Sequence, residues 1–209
     1  MLTFYYGRGT CAVATHLALE HTGAPYDAQR VDLKADQQRS PEYLKLNPKG
    51  RVPVLVTPQG VLTETPTLLL YVAQVHPQAG LAPLDDPFAL ARMNEFNSYL
   101  CSTVHVNHAH KGRGHRWVDA ADTAAIEAMR RKVPQTMADS FALIEGGMLR
   151  GPWVLGDVFS TADYYLYTIA SWLEGDGVDI ARFPRVADHF ARVGALPVTQ
   201  RVLAAQAAD

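Results

Sequence analysis

Residues 47–65 read NPKGRVPVLVTPQGVLTET, and this stretch decides the fold of the N-terminal part of the chain. Two of its prolines flank a glycine, which indicates a loop of fixed shape. Residues 54–56 and 61–63 are short runs of β-forming side chains on either side of a turn with proline and glycine, so they predict a β-hairpin. The apolar pattern from Thr65 to Val75 predicts a helix directly after the hairpin.

The residues before this stretch predict a strand, a helix, a second strand and a short helix. Residues 2–6 are rich in β-forming side chains and end at a glycine turn, whereas residues 10–21 repeat apolar side chains at helical spacing. Residues 26–33 are expected to form the second strand, and Pro41 fits the first turn of a short helix. The predicted order is therefore β-α-β-α-β-β-α.

The second part of the chain has a helical pattern throughout. Apolar side chains within residues 93–104 and 126–144 recur at three- and four-residue steps, which predicts two long amphipathic helices, the second kinked at Pro134. Ser160 and Asp163 form a capping-box pattern that opens a further helix to about residue 173. Two shorter helices are expected near residues 184–193 and 197–207.

These patterns divide the chain into two domains. Residues 1–78 are expected to form an α/β domain, and residues 87–209 an all-helical domain. Residues 79–86 have the proline- and glycine-containing composition of a linker.

Composition excludes several classes of protein. The chain has 209 residues, 19 lysines and arginines against 21 aspartates and glutamates, and a net charge of -2, which argues against nucleic acid as the main partner. A hydrophobic fraction of 48% fits a globular protein. Two cysteines are too few for a disulfide framework, and the N-terminus lacks a secretion-signal pattern, so we expect a reducing cytoplasm. Prolines and polar residues break the longest uncharged run, so we expect no association with a membrane.

Several spaced motifs together resemble one family, the glutathione transferases. They are the β-α-β-α-β-β-α unit, a cysteine at the mouth of its first helix, the loop at residues 47–53 and the Glu64-Thr65 pair. The helical second half, with its Ser-Thr-Ala-Asp helix start at residues 160–163, resembles the C-terminal domain of that family. The stretch from Phe4 to His16 is similar to the bacterial cysteine-containing branch, called beta class.

The resemblance implies a thioredoxin-like N-terminal domain followed by an all-α C-terminal domain. It also implies an enzyme that uses reduced glutathione as co-substrate and conjugates it to a small hydrophobic electrophile. Reduction of a disulfide or peroxide through Cys11 is a further activity that the branch allows. The alternative is a non-catalytic binding or stress-regulatory protein on the same fold. The family also implies a two-fold homodimer.

Cys11 stands at the N-terminus of the first predicted helix, where unpaired backbone N–H groups favour a thiolate. A helix end contributes at most ~2 kcal/mol and one pKa unit corresponds to ~1.4 kcal/mol, so the helix is expected to lower the thiol pKa from ~8.5 to about 7 or 8. The alternative is a small apolar side chain packed beneath the helix. The resemblance implies that the Cys11 sulfur lies beside that of glutathione, with Thr10 and Tyr5 as other candidates to stabilise the glutathione thiolate.

The resemblance also implies the contacts that hold glutathione. Val52 precedes a proline that is cis in the family, which exposes the Val52 N–H and C=O to the cysteinyl part of glutathione. Thr65 can offer its hydroxyl and N–H to the γ-glutamyl carboxylate, and Glu64 can accept from the ammonium group. Lys34 and Arg51 are candidates for the glycine carboxylate, and Lys34 fits a solvated lysine equally well. The predicted glutathione-binding residues are Thr10, Cys11, Lys34, Arg51, Val52, Pro53, Glu64 and Thr65.

A histidine cluster at residues 105–115 supplies candidates for the other side of the site. By resemblance, His105 faces the active-site sulfur, where an imidazole can stabilise a thiolate or move its proton. His108, one turn further on, would line the same cavity; the alternative for both is a polar helix end that faces solvent. Cys101 shares their helix face at a spacing that metal ligands use, but three ligands on one helix form an open and strained set, so we expect no metal.

Tyr165 and Trp172 are seven residues apart on one predicted helix and therefore share a face. The resemblance implies that both border the electrophile pocket. The alternative is that both belong to the core.

Overall fold

The computed structural model of the protein describes residues 1–208; Asp209, the last residue of the predicted helical domain, lies outside the described residues. Its sheet has four strands in the order β2-β1-β3-β4. They are β1 (Leu2–Tyr6), β2 (Tyr26–Arg30), β3 (Val54–Thr57) and β4 (Gly60–Thr63). Strand β2 runs parallel to β1, and β3 runs antiparallel to both β1 and β4. The hairpin and the order of elements predicted from the sequence are confirmed.

Side-chain alternation along β1 gives the sheet two different faces. Phe4 and Tyr6 are fully buried in the main core, beneath α1 (Ala12–Thr22) and α3 (Thr65–Val75). Tyr5 points to the opposite face and packs in a smaller cluster that includes Tyr43 of α2 (Pro41–Leu46). Residues i and i+1 of a strand face opposite sides, so Tyr5 cannot reach the face on which α1 lies.

The rest of the described chain, up to residue 208, consists mainly of helices joined by turns and loops. Its helices are α4 (Pro87–Tyr99), α5 (His105–Arg113), α6 (Thr123–Leu143), α7 (Thr161–Ala170), α8 (Pro184–Gly194) and α9 (Pro197–Ala208). Helix α7 is buried along its whole length and packs against α1, which joins the two halves of the molecule. The capping box predicted at its start is present, because the Asp163 carboxylate accepts the Ser160 N–H at 2.8 Å. Among residues 1–208, no helix has the length and apolar character needed to cross a membrane.

Three predicted boundaries differ from the structure. Strand β2 ends at Arg30 instead of residue 33, because the Asp32 carboxylate accepts the N–H groups of Lys34 and Ala35 and turns the chain. Helix α7 ends at Ala170 rather than near residue 173, and turns follow it. A π-helical turn at Leu100–Val104 joins α4 to α5, which the apolar spacing did not predict. Pro134 lies inside α6, which continues through it.

Candidate functional site

The candidate site is a cleft between the loops of the sheet domain and helix α5. It holds a cavity of about 1110 Å³ and a smaller neighbouring cavity of about 140 Å³. Six residues line both: Cys11, Arg51, Val52, His105, Ala109 and Arg116. The two cavities therefore adjoin, and four of the shared residues, Cys11, Arg51, Val52 and His105, are ones that the sequence had indicated.

The loop at residues 47–53 is held in place by hydrogen bonds to a single carbonyl. The Asn47 side chain and the Tyr43 hydroxyl both donate to the Arg51 C=O, at 2.7 and 2.8 Å. Gly50 adopts a left-handed φ of 58°, and a side chain there would meet the Arg39 guanidinium at 2.9 Å. The bond between Val52 and Pro53 is cis, as the resemblance implied. The loop thus presents Val52 to the cleft from a rigid frame.

Cys11 lies at the N-cap of α1 and is only 8% exposed. Its Sγ lies 3.8 Å from the Val52 C=O, to which the thiol donates. Burial raises the pKa of Cys11 to about 11, although a hydrogen bond with the Thr65 side chain acts in the opposite direction. The expected pKa of about 7 or 8 is therefore wrong for this structure, because the cost of burying a thiolate exceeds the stabilisation from the helix N-terminus. Cys11 is a neutral thiol at pH 7.

Glu64 and Thr65 are consecutive residues at the start of α3, and both line the smaller cavity. Thr65 is buried, whereas the Glu64 carboxylate is 56% exposed and pairs with Lys49 at 2.7 Å. Glu64 also has a φ of 73°, a conformation that costs a non-glycine residue about 1–3 kcal/mol and that concentrates at ligand-binding sites. The ion pair with Lys49 was not foreseen, and it holds the Glu64 carboxylate at the rim of the cavity.

Three candidate residues lie elsewhere or are already engaged. Lys34 is exposed and lines neither cavity, which fits the solvated alternative. Tyr5 lies on the far face of the sheet, so it cannot contact the glutathione thiolate, and this candidate role from the sequence is corrected. Thr10 lines the larger cavity, but its hydroxyl donates to the Gly7 C=O at 2.8 Å and so is not free to donate to a thiolate.

His105 faces both cavities from the first turn of α5. Burial lowers its pKa to about 4, and the nearby His108 and two arginines act in the same direction. The ring is therefore neutral at pH 7, and it is not an imidazolium that could stabilise a thiolate by its charge. As a neutral ring, it can still donate or accept one hydrogen bond in the cleft.

His108 and Trp172 form a stacked pair in the wall of the larger cavity, with ring centroids 4.2 Å apart. The His108 Nδ1 lies 2.7 Å from a carboxylate oxygen of Asp176, which is fully buried, and the Trp172 indole donates to the Gly9 C=O at 3.1 Å. Asp176 fixes the orientation of the imidazole ring and was not found from the sequence. Its signal, an acidic residue between two glycines, is too common to single out.

Tyr165 is fully buried and also lines the smaller cavity, so it belongs to both the core and the cavity wall. Burial raises the pKa of its hydroxyl well above the ordinary value. Cys101, which the sequence placed on an inner helix face, lines this cavity too. Within residues 1–208 no group of three or more histidine, cysteine or acidic side chains is arranged to hold a metal ion.

Positively charged residues are the part of the site that sequence analysis missed. Besides Arg51, the larger cavity is lined by Arg39, Lys111, Arg113, Arg116 and Arg130. Lys111, Arg113 and Arg116 lie in the basic segment 110–116, whose position at the cavity the sequence does not indicate, whereas Arg39 and Arg130 come from distant parts of the chain.

Comparisons with known proteins agree with this arrangement. Residues 1–74 match the glutathione S-transferase N-terminal domain, and residues 116–192 match the glutathione S-transferase C-terminal domain. A glutathione S-transferase of Xanthomonas campestris is 26% identical over 98% of this chain and 98% of its own length. A solved glutathione transferase homologue from Sulfitobacter, with bound glutathione, is 45% identical, covers 97% of this chain and 96% of its own, and has a TM-score of 0.93. A beta-class glutathione S-transferase from Sphingomonas chungbukensis is 28% identical over 98% of each chain, with a TM-score of 0.83.

A thioredoxin-like domain joined to an all-helical domain, with a polar cleft between them, defines the class of two-domain glutathione enzymes. The chain belongs to the glutathione S-transferase superfamily. It is an enzyme of that family, with glutathione as its co-substrate. The predicted fold class is confirmed, and so is the prediction of an enzyme rather than a non-catalytic protein on the same fold.

Proposed function

We propose that the protein conjugates reduced glutathione to an electrophile in this cleft, as a member of the beta-class-like branch. The observation that carries the proposal is that the two cavities adjoin at Cys11, which lines both. The smaller one joins the Val52 loop to the start of α3, and the larger one leaves room for a second substrate. The likeness to the Sphingomonas enzyme supports the branch.

The smaller cavity offers the groups that an extended peptide with charged ends requires. The Val52 backbone can pair with the cysteinyl part of glutathione, while Thr65 offers a hydroxyl and Glu64 a carboxylate to its γ-glutamyl end. Arg51 lines both cavities and can reach a carboxylate at the glycine end. Lys34 has no part in this arrangement, because it lines neither cavity.

Cys11 acts in this proposal as a neutral hydrogen-bond donor. With a pKa of about 11 it keeps its proton at pH 7. The Val52 carbonyl accepts from the thiol in this structure, and when that carbonyl pairs with glutathione the S–H group can turn and donate a hydrogen bond to the glutathione thiolate. The proton that glutathione loses passes to solvent. Disulfide reduction through Cys11 is less favoured, because only the thiolate attacks a disulfide. Conjugation therefore fits the site better than reduction does.

The homodimer also remains a proposal, in which the sheet domain of one subunit packs on the long helices of its partner. Its support is a set of large apolar side chains exposed on β4, α3 and the start of α4. These are Val61 at 44%, Val75 at 43% and Phe88 at 68% exposure.

The division into domains at residues 1–78 and 87–209 and the cytoplasmic location are likewise proposed, the latter on the two free cysteines.

Conjugation of glutathione to chlorodinitrobenzene, followed by absorbance, tests the proposed function. Cys11→Ala should lower kcat/KM by about tenfold or more, because a hydrogen bond to a charged group contributes about 1.5–3 kcal/mol. Cys11→Ser keeps a neutral donor and should retain most of the activity. A wild-type rate no faster than the uncatalysed reaction would refute the proposal. Equal losses in both variants would refute the role of Cys11 as a donor.

A further inference from the structure

We propose that the second substrate is an anion, an electrophile that carries a carboxylate or a similar acidic group, and that an arginine cluster in the larger cavity binds it. This inference rests on the proposed conjugation and narrows its substrate class. It replaces the uncharged hydrophobic electrophile that the family resemblance implied. The arginine cluster consists of Arg39, Arg51, Arg113 and Arg116.

The arginine cluster draws its members from both sides of the cleft. Arg39 ends a 3-10 turn and Arg51 lies in the loop before β3, both in the sheet domain. Arg113 is the last residue of α5, and Arg116 ends the next short turn. The partial burial of Arg116 and the positive charges of the other three arginines lower its pKa below the ordinary value, so those three charges lie close enough to Arg116 to repel it.

The four arginines have no acidic partners of their own. None of them pairs with a carboxylate anywhere in residues 1–208. By contrast, the other two cations of the cavity do have partners, since Lys111 lies 3.5 Å from Asp176 and Arg130 lies 3.3 Å from Glu127. The chain as a whole has a net charge of -2, so this local excess of positive charge is not a consequence of a basic composition.

Glutathione alone does not balance this charge. It carries two carboxylates and one ammonium group at pH 7, a net charge of -1, or -2 as the thiolate. Among residues 1–208, four unpaired arginines and a single carboxylate, that of Asp36, line the cavity and amount to three positive charges. At least one positive charge therefore remains after glutathione binds, in a cavity large enough for a second molecule. Arginine binds carboxylate and related oxyanions through paired hydrogen bonds.

The reaction itself needs no further reagent. With a chloronitrobenzene, the glutathione thiolate forms a bond from its sulfur to the ring carbon that bears chlorine. The carbon–chlorine bond then breaks, and chloride leaves with the electron pair. The thiol proton goes to solvent, and no atom is oxidised or reduced overall. The arginines hold the acidic group of the substrate and take no part in the bond changes.

A matched pair of electrophiles tests the inference. Para-chloro-meta-nitrobenzoate and the corresponding benzamide differ in charge and little in size, and each kcat/KM is divided by the uncatalysed rate constant with glutathione. We expect this normalised kcat/KM to be about tenfold or more higher for the benzoate than for the benzamide, because the carboxylate can accept charged hydrogen bonds from the arginines. The preference should shrink as ionic strength rises. The corresponding sulfonate separates preference for a carboxylate from preference for any anion.

Variants tie the preference to the arginine cluster. Arg113→Gln and Arg116→Gln, both at exposed residues, should each lower the benzoate-to-benzamide ratio by about tenfold. Arg131→Gln is the matched control, because Arg131 is exposed on α6 and lines neither cavity. A ratio near one, or a ratio that changes as much in the control as in the two variants, would overturn the inference.

A binding measurement separates this inference from the proposed function. Calorimetric titration of the glutathione-saturated enzyme with unreactive meta-nitrobenzoate and meta-nitrobenzamide needs no turnover. In one outcome the benzoate binds more tightly than the benzamide, Arg113→Gln abolishes that difference, and the enzyme conjugates no electrophile. That outcome would refute the proposed function but would support the anion site. Conjugation of both electrophiles with equal binding of the two analogues would refute only the anion site.

Discussion

The buried thiol of Cys11 allows a prediction that can be worked out in numbers. Its pKa rises to about 11, above the ordinary ~8.5, so at pH 7 the thiolate fraction is at least about a hundredfold smaller than that of an ordinary cysteine. Alkylating agents react with the thiolate, so the alkylation rate of Cys11 should keep rising with pH and should not level off below pH 10.

The assay follows alkylation by iodoacetamide between pH 6 and 11 in the absence of glutathione. Mass spectrometry of the separate peptides distinguishes Cys11 from Cys101. The pH at half-maximal rate is the quantity of interest, because limited access to a buried sulfur slows the reaction equally at every pH. Short incubations limit unfolding of the protein at high pH. Circular dichroism at each pH checks that the protein is still folded.

Thr65 provides an internal test of the same reasoning. Its side chain makes a hydrogen bond that lowers the Cys11 pKa, so Thr65→Val should shift the midpoint to higher pH, while Thr65→Ser should not. A midpoint below pH 8.5 in the wild-type protein would refute the reasoning, because it would mean that the helix N-terminus outweighs burial.

Four further predictions concern binding, assembly and stability. Glu64→Ala or Thr65→Ala should weaken glutathione binding by about tenfold or more in calorimetric titration, and unchanged affinity in both would remove them from the site. Light scattering at micromolar concentration should give the mass of a dimer, and a monomer mass would contradict the proposed assembly. The pKa of His105 is about 4, so the unfolded chain binds a proton that the folded chain does not between pH 6.5 and 4, and stability falls as pH falls through that range. His105→Asn should therefore reduce the loss of Tm between pH 7 and pH 5, and a loss equal to that of the wild-type protein would contradict this. Asp163→Ala removes the buried acceptor of two backbone N–H groups and of the Ser160 hydroxyl, and also the partner of the His189 ring, so it should lower the free energy of unfolding by about 3 kcal/mol or more; a loss below about 1 kcal/mol in urea unfolding would contradict this.

The fold could be predicted from the sequence because its signals are local. The hairpin, the capping box at Ser160 and the apolar spacing of α6 each depend on residues within a few positions of one another. The predicted boundaries that differed, at β2 and α7, depend on a side-chain turn and on packing, and apolar spacing reports neither. The π-helical turn at residues 100–104 likewise leaves the spacing of apolar residues almost unchanged.

The electrostatics of the site could not be predicted in the same way. The sequence places Cys11 at a helix N-terminus, but its pKa depends on burial beneath a loop 41 residues further along the chain. Position in the sequence likewise made Lys34 the first cationic candidate and Arg51 the second, and of the two only Arg51 lines the cleft. The arginine cluster comes from four segments of the chain, and its excess positive charge arises only because folding brings those segments together.

A crystal structure with reduced glutathione would show whether the Cys11 thiol contacts the glutathione sulfur. We expect the cysteinyl backbone to pair with Val52, the γ-glutamyl carboxylate to lie at Thr65, and the glutathione sulfur to lie within hydrogen-bonding distance of the Cys11 thiol. Glutathione bound outside the smaller cavity, or bound there with its sulfur turned away from Cys11, would contradict this expectation.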